Sequence, residues 1–191
     1  MQSNKVYIIL CEGDSEFAYL QELNRFLREN NYSLTFSAKI IGTGYYKNVL
    51  QKYSNEKKNN PRLPIKTLLD NDIYCRNDRE NKVNFEKSKI KEHFLFNIQN
   101  FEDFLILHYD DETLKKWLEI CRQNNHEKEP MHSKNYMPQL QKLVPNYSKG
   151  SCPFSPLEHI NLENLFRHNA DINIFIKSDF ASLLKNLLNK I

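Results

Sequence analysis

Carboxylates follow two apolar runs that each have the length of a buried strand. Residues 6–10 are followed by Glu12, and residues 65–69 are followed by Asp70 and Asp72. In a parallel sheet the carboxyl ends of the strands share one edge, where ligands bind, so these three acids are expected to meet there. Carboxylates, water and phosphate oxygens are the ligands that a hard divalent cation takes. The pattern therefore predicts a site for Mg²⁺ or Mn²⁺ at that edge.

The same acids also have structural explanations, which the sequence leaves open. A carboxylate directly after a strand often forms a turn or caps the next helix, and Asp-Asn-Asp is an ordinary turn composition. Glu16 lies one helical turn after Glu12. It can point to the same sheet edge, or it can accept a hydrogen bond from the start of its own helix as a capping-box acid. The two roles do not exclude each other.

Several polar residues later in the chain are further candidates. Glu102 and Asp103 begin a segment, residues 101–109, that is apolar nearly all round and predicts a buried helix. Acids in a first helical turn are favoured by the helix dipole, and Glu102 could also turn towards the acidic edge. His108 is expected as a cation at the carboxyl end of this helix, which is a commoner role there than the alternative of a ligand. Lys149 lies in a loop, where it is either solvated or placed to stabilise negative charge on a phosphate.

Apolar periodicity predicts strands that alternate with helices, which is typical of an α/β protein with a mostly parallel sheet flanked by helices. The predicted strands cover residues 6–10, 34–41, 65–69 and 94–98, and the predicted helices cover residues 14–27, 45–53, 85–92, 101–109, 113–121, 157–166 and 180–188. Residues 52–62, rich in Lys and Asn, are expected to form a solvated loop. We assign residues 1–115 to an α/β core and residues 116–191 to a helical C-terminal portion packed on it, as a single compact domain.

Composition excludes several classes of protein. The net charge of +3 permits nucleic-acid binding without implying it, and 12% aromatic residues argue against disorder. The four cysteines form no CxxC pair, so we expect reduced thiols and a cytoplasmic protein. No apolar run approaches the ~20 residues of a membrane span, and no membrane association is expected. The chain lacks the GxxxxGK[ST] loop of ATPases and the GxSxG elbow of serine hydrolases.

Glu12-Gly13 after one strand, Glu16, and Asp70-x-Asp72 after another resemble the Toprim domain, the metal-binding fold of topoisomerases, primases and related nucleases. More specifically, residues 11–20 (CEGDSEFAYL) resemble the EGxxTExxY opening of RloB-like proteins, which are related to OLD-family nucleases. This chain has Ser15 where Thr is commoner in that family.

Two later segments extend the resemblance to RloB-like proteins. Residues 97–108 (NIQNFEDFLILH) are similar to the family's NPxFExWLLLH segment, with Phe104 in place of the usual Trp. Residues 147–149 match a later YxK motif. The order of four motifs along one chain is more specific than any one of them.

The resemblance implies a Toprim-like sheet and a small nuclease that cleaves DNA or RNA in a bacterial anti-phage or restriction-linked system, often beside a partner ATPase. Carried over to this sequence, it implies Mg²⁺ or Mn²⁺ held by Glu12, Asp70 and Asp72, and further site residues at Glu16, Glu102 and Lys149. Glu12 would be either a ligand or a general base. The choice between DNA and RNA, the number of metal ions and homo-oligomerisation stay open.

The alternative function is a non-catalytic subunit that uses the same pocket to sense a nucleotide or a nucleic-acid end, or to regulate a partner ATPase. It is favoured by the small net charge, because a chain with no obvious basic track contributes little nucleic-acid affinity alone. Metal-dependent cleavage by the isolated chain would distinguish the two functions.

Overall fold

A single five-stranded sheet organises the protein. The structure, a computed structural model, describes residues 4–71, 79–145, 147–154 and 160–189. The strands are β1 (Lys5–Cys11), β2 (Leu34–Ile40), β3 (Ile65–Asp70), β4 (Phe94–Ile98) and β5 (Lys177–Ser178), in the order β2-β1-β3-β4-β5. β1 to β4 are parallel, and β5 is antiparallel to β4. The predicted α/β class with a mostly parallel sheet is confirmed.

Helices cover both faces of this sheet. In the described part of the chain they are α1 (Asp14–Glu29), α2 (Tyr46–Asn59), α3 (Arg79–Glu86), α4 (Phe101–Ile106), α5 (Asp111–Gln123), α6 (Ser133–Leu143), α7 (Leu162–Ala170) and α8 (Asp179–Leu188). A 3-10 turn, Lys91–His93, precedes β4. Within the ranges described, no helix combines the length and the apolar character needed to cross a membrane.

Strand β1 is buried on both faces, which explains why its sequence is a continuous apolar run rather than an alternating one. Ile9 and Cys11 belong to the large core, which also contains residues of α1, α4 and the C-terminal helices. Ile8 and Leu10 belong to a smaller core with Tyr53 of α2. The assignment of residues 1–115 and 116–191 to two portions stays a prediction.

Several elements differ from the prediction. Helix α4 ends at Ile106 rather than at residue 109, and α7 continues to Ala170 rather than ending at residue 166. Helix α6 (Ser133–Leu143) was not predicted.

The loop predicted over residues 52–62 is wrong, because α2 continues to Asn59 and buries Tyr53 and Glu56 on the same face as Val49. The helix predicted over residues 85–92 is also wrong in its bounds, since α3 is Arg79–Glu86. Strand β5 was not predicted, because a pair of residues is too short to show a strand periodicity.

Candidate functional site

A polar pocket of about 450 Å³ opens at the carboxyl edge of the sheet. It is lined by Glu12, Gly13, Asp14, Ser15, Glu16, Gly42, Asp70, Phe101, Glu102, Lys149 and Gly150. The structure therefore brings five of the six predicted site residues to one place. The sixth, Asp72, lies outside the described residues.

Two interior strands deliver the first two carboxylates. Glu12 directly follows β1, and Asp70 is the last residue of the neighbouring strand β3. The Asn97 side-chain amide, on β4, donates to Asp70 Oδ1 over 3.3 Å, and Ser178 Oγ donates to Asn97 Oδ1 over 2.7 Å. Burial, followed by the charges of the neighbouring glutamates, raises the pKa of Asp70 well above its usual range.

Glu16 comes from the first turn of α1, and both roles expected for it are compatible with its geometry. Its Oε2 accepts the Gly13 backbone N–H at 3.2 Å, as a capping-box acid does, and its buried carboxylate also lines the pocket. Burial, together with the charges of Glu12 and Glu102, raises the pKa of Glu16 to about 7. A carboxyl group with this pKa can accept or release a proton near neutral pH.

Glu102 enters the pocket from the short helix α4, which follows β4. Glu102 is only 3% exposed, and its carboxylate accepts hydrogen bonds from two phenols. Tyr136 Oη donates to Oε2 at 2.9 Å, and Tyr147 Oη donates to Oε1 at 2.9 Å. Burial and the Glu102 charge raise the pKa of both phenols, which therefore stay protonated and act as hydrogen-bond donors.

Lys149 lies in the loop between α6 and α7 and is exposed at the rim of the pocket. Gly150, next to it, has φ +85°, a conformation that favours glycine. The Gly150 N–H donates to Ser15 Oγ at 2.9 Å, so this loop is attached to the start of α1. Lys149 is the basic side chain among the pocket-lining residues named above.

Sequence analysis missed three polar residues that hold the site. Ser15 appeared only as a position in a motif, while Asn97 and Tyr136 gave no signal of their own. Tyr136 belongs to an amphipathic helix, where a buried aromatic residue ordinarily packs in the core, and its hydroxyl contact is visible only in three dimensions. Asn97 belonged only to the segment 97–108, and its contact with Asp70 is visible only in three dimensions.

A second cluster, which includes Asp103 of α4, does not belong to the pocket lining. Asp103, Cys121 and His126 are fully buried, offer ligand atoms within 4.8 Å of one another and could hold a metal ion. Within the described ranges, no three carboxylates of the pocket meet this spacing.

The atoms of this second cluster already have partners within the protein. Asp103 accepts hydrogen bonds from Trp117 Nε1 (2.7 Å) and from the Asn100 N–H (2.9 Å), and it lies 2.8 Å from His126 Nε2. His126 Nδ1 accepts the Met131 N–H. These contacts satisfy a buried carboxylate and fix the first turn of α4, which carries Glu102.

Comparisons with known proteins add little to this description. No protein-family model matches the chain, and no curated protein does. Among solved structures, the chain is similar to the C-terminal region of the Xanthomonas campestris pv. campestris OLD protein, at 17% sequence identity and a TM-score of 0.37. The match covers 85% of this chain and 97% of that one.

Proposed function

We propose that this chain is a Mg²⁺-dependent phosphodiesterase of the Toprim type, related to RloB-like proteins, that cleaves DNA or RNA. One observation carries the proposal: five carboxylates line one open pocket whose rim carries a lysine, namely Glu12 after β1, Asp14 and Glu16 of α1, Asp70 of β3 and Glu102 of α4. Burial, followed by the charges of Glu16, Glu102 and Glu12, raises the pKa of Asp70, so these carboxylates repel one another unless a proton or a cation neutralises them. Hard divalent cations prefer such oxygen ligands.

Each side chain has a chemical part in this proposal. Glu12 and Asp70 would hold the metal ion, with Asp72 as a further ligand. When bound, Mg²⁺ supplies polarisation of a phosphate and a lowered pKa of an attacking water. Glu16, with a pKa of about 7, can receive a proton near neutral pH. Lys149 at the rim can stabilise negative charge that develops on the phosphate.

The surface of α2 supports a nucleic acid as the substrate. This helix carries four lysines and a single acid, Glu56, which is buried and lies 2.8 Å from Lys39 Nζ. Lys47 and Lys58 lie on the exposed face, opposite buried Val49 and Glu56. Such a basic stripe attracts phosphates. Helix α2 starts four residues after Gly42, which lines the pocket, so the stripe begins close to the site.

The test is cleavage of plasmid DNA and of labelled RNA by the purified chain with Mg²⁺ or Mn²⁺. We expect Glu12→Gln and Asp70→Asn to reduce cleavage by roughly 10²-fold or more while circular dichroism stays unchanged. Glu119→Gln, on the exposed face of α5, is the matched control and should cleave normally. Full activity in both pocket variants would show that the site is wrong.

The same experiment tests the alternative of a non-catalytic sensing subunit. That function predicts Mn²⁺ binding that is lost in Asp70→Asn, without cleavage of either nucleic acid by the wild-type chain. Cleavage that appears only after a partner ATPase is added, and that still requires Asp70, would support the nuclease as one component of a defence system.

A further inference from the structure

The loop that carries Lys149 is attached to the pocket at two points, one on each side of the lysine. Before the lysine, Tyr147 is 1% exposed, and its phenol donates to Glu102 Oε1 at 2.9 Å. After the lysine, the Gly150 N–H donates to Ser15 Oγ at 2.9 Å. If Lys149 were only solvated, its position would not depend on hydrogen bonds between its loop and the pocket.

The two attachment points also contact each other. Tyr147 Oη lies 3.5 Å from Ser15 Oγ. A phenol has one proton, and Glu102 Oε1 at 2.9 Å is a closer acceptor than Ser15 Oγ at 3.5 Å, so that proton belongs to the Glu102 contact. The Ser15 hydroxyl can then accept from Gly150 and direct its own proton towards Tyr147. Gly150, Ser15, Tyr147 and Glu102 thus form one hydrogen-bonded series.

The backbone around Lys149 is fixed by further contacts. The Tyr147 carbonyl accepts from Gln141 Nε2 at 2.9 Å, and the Ser148 carbonyl accepts from Ser151 Oγ at 2.6 Å. A Cβ added to Gly150 would lie 3.5 Å from the Asp14 Cβ, which shows how closely the loop lies against α1. These contacts hold the backbone on both sides of Lys149.

We infer that Ser15 and Tyr147 are positioning residues, which hold Lys149 over the carboxylates so that its ammonium group meets the substrate phosphate. This inference rests on the proposed nuclease function. It assigns to Ser15 a role that goes beyond the start of a helix, since its hydroxyl connects α1 to a loop 135 residues further along the chain.

The first test does not depend on catalysis. It measures the hydrogen-exchange rate of the Gly150 amide, which reports on the attachment of the loop to Ser15. Ser15→Ala should speed this exchange by about 10-fold or more, since the amide loses its acceptor, while Ser15→Thr, which keeps a hydroxyl, should leave it slow. Unchanged exchange in Ser15→Ala would overturn the inference.

The second test is a double-mutant cycle that measures cleavage by Ser15 variants with and without Lys149→Gln. It distinguishes an effect of Ser15 on the position of Lys149 from a general effect on the structure. Ser15→Ala should lower kcat by about 10-fold with little change in KM, and Ser15→Thr should restore most of the rate. In a Lys149→Gln background, Ser15→Ala should cause little further loss. An equal loss in both backgrounds, or a Thr variant as impaired as the Ala variant, would contradict the inference.

Tyr136 and Tyr147 provide a matched pair for the same cycle. Both phenols donate to Glu102 at 2.9 Å, but only Tyr147 also contacts Ser15. The loss caused by Tyr147→Phe should shrink in the Lys149→Gln background, whereas the loss caused by Tyr136→Phe should persist. The two proposals can fail separately. If Lys149→Gln and Glu12→Gln both cleave normally, the proposed nuclease function is wrong. If Ser15→Ala still speeds exchange of the Gly150 amide in that case, the attachment of the loop is nevertheless correct.

Discussion

The charge state of His108 is decided by its burial and not by its position after a helix. His108 was expected as a cation after a helix, but its ring lies in the large core and is 2% exposed. Its Nε2 lies 3.1 Å from the Tyr19 hydroxyl, and its Nδ1 lies 3.2 Å from the Asn161 carbonyl. Burial lowers the pKa of His108 to about 3, so the ring is neutral and the expectation of a cation is wrong.

This neutral histidine makes a prediction for acid stability. The pKa of His108 is depressed in the folded protein, so the unfolded chain takes up the proton first, and stability falls as pH drops below about 6.5. Between pH 7 and pH 5 the wild type should lose about 2 kcal/mol of unfolding free energy relative to His108→Gln. Urea unfolding at both pH values measures the difference. His132→Gln, at an exposed position, is the control, and parallel pH profiles for wild type and His108→Gln would contradict the prediction.

At the level of residues, the sequence predicted the acids of the pocket but not the groups that hold them. Glu12 and Asp70 could be predicted because each follows or ends an apolar run, and the carboxyl ends of parallel strands meet at one edge of the sheet. Tyr136 and Asn97 could not be, because a tyrosine or asparagine has many ordinary uses and shows its partner only in the folded structure. The role of Ser15 depends on a contact with Gly150, far along the chain.

At the level of elements, strands were easier to predict than polar helices. β1 and β3 are buried, so their apolar runs end where the strands end. Helix α2 was partly missed because its lysines and asparagines resemble a loop, and its buried face consists of only Val49, Tyr53 and Glu56. A buried acid on that face breaks the apolar periodicity on which the prediction depends.

The basic face of α2 leads to a prediction about nucleic-acid binding. Charge reversal in the double variant Lys47→Glu and Lys58→Glu should weaken binding of a labelled oligonucleotide and lower the slope of log affinity against log salt by about one for each lysine that contacts a phosphate. Lys115→Glu with Lys128→Glu has the same net charge and is the control. Fluorescence anisotropy across a salt series measures both variants. Equal losses in the two would mean that net charge, and not this helix, attracts the nucleic acid.

At the scale of the whole molecule, the apolar cores on the two faces of the sheet stabilise the fold, whereas the acidic carboxyl edge of the sheet destabilises it. The large core on one face and the smaller cores beneath α2 and α3 bury the apolar residues. The carboxyl edge between them gathers acids from four elements, and their mutual repulsion opposes folding. Because the pKa of Glu16 is raised from 4.5 to about 7, its contribution to stability is full at low pH and is lost as pH rises towards 7.

A divalent cation should remove this cost, and the size of its effect should depend on pH. Protons compete with the metal for carboxylates, so 5 mM Mn²⁺ should raise the Tm clearly at pH 8 and little at pH 5.5. If that concentration is ~100 times the dissociation constant, the gain is about 3 kcal/mol, or roughly 5–10 °C for a chain of this size. Differential scanning fluorimetry, with NaCl at matched ionic strength as the reference, measures this rise in Tm.

The controls are two variants. Glu119→Gln should behave like the wild type, and Asp70→Asn should lose the Mn²⁺ effect. An equal rise in Tm at both pH values, or an undiminished rise in Asp70→Asn, would place the cation elsewhere, with the buried group of Asp103, Cys121 and His126 as the next position to test.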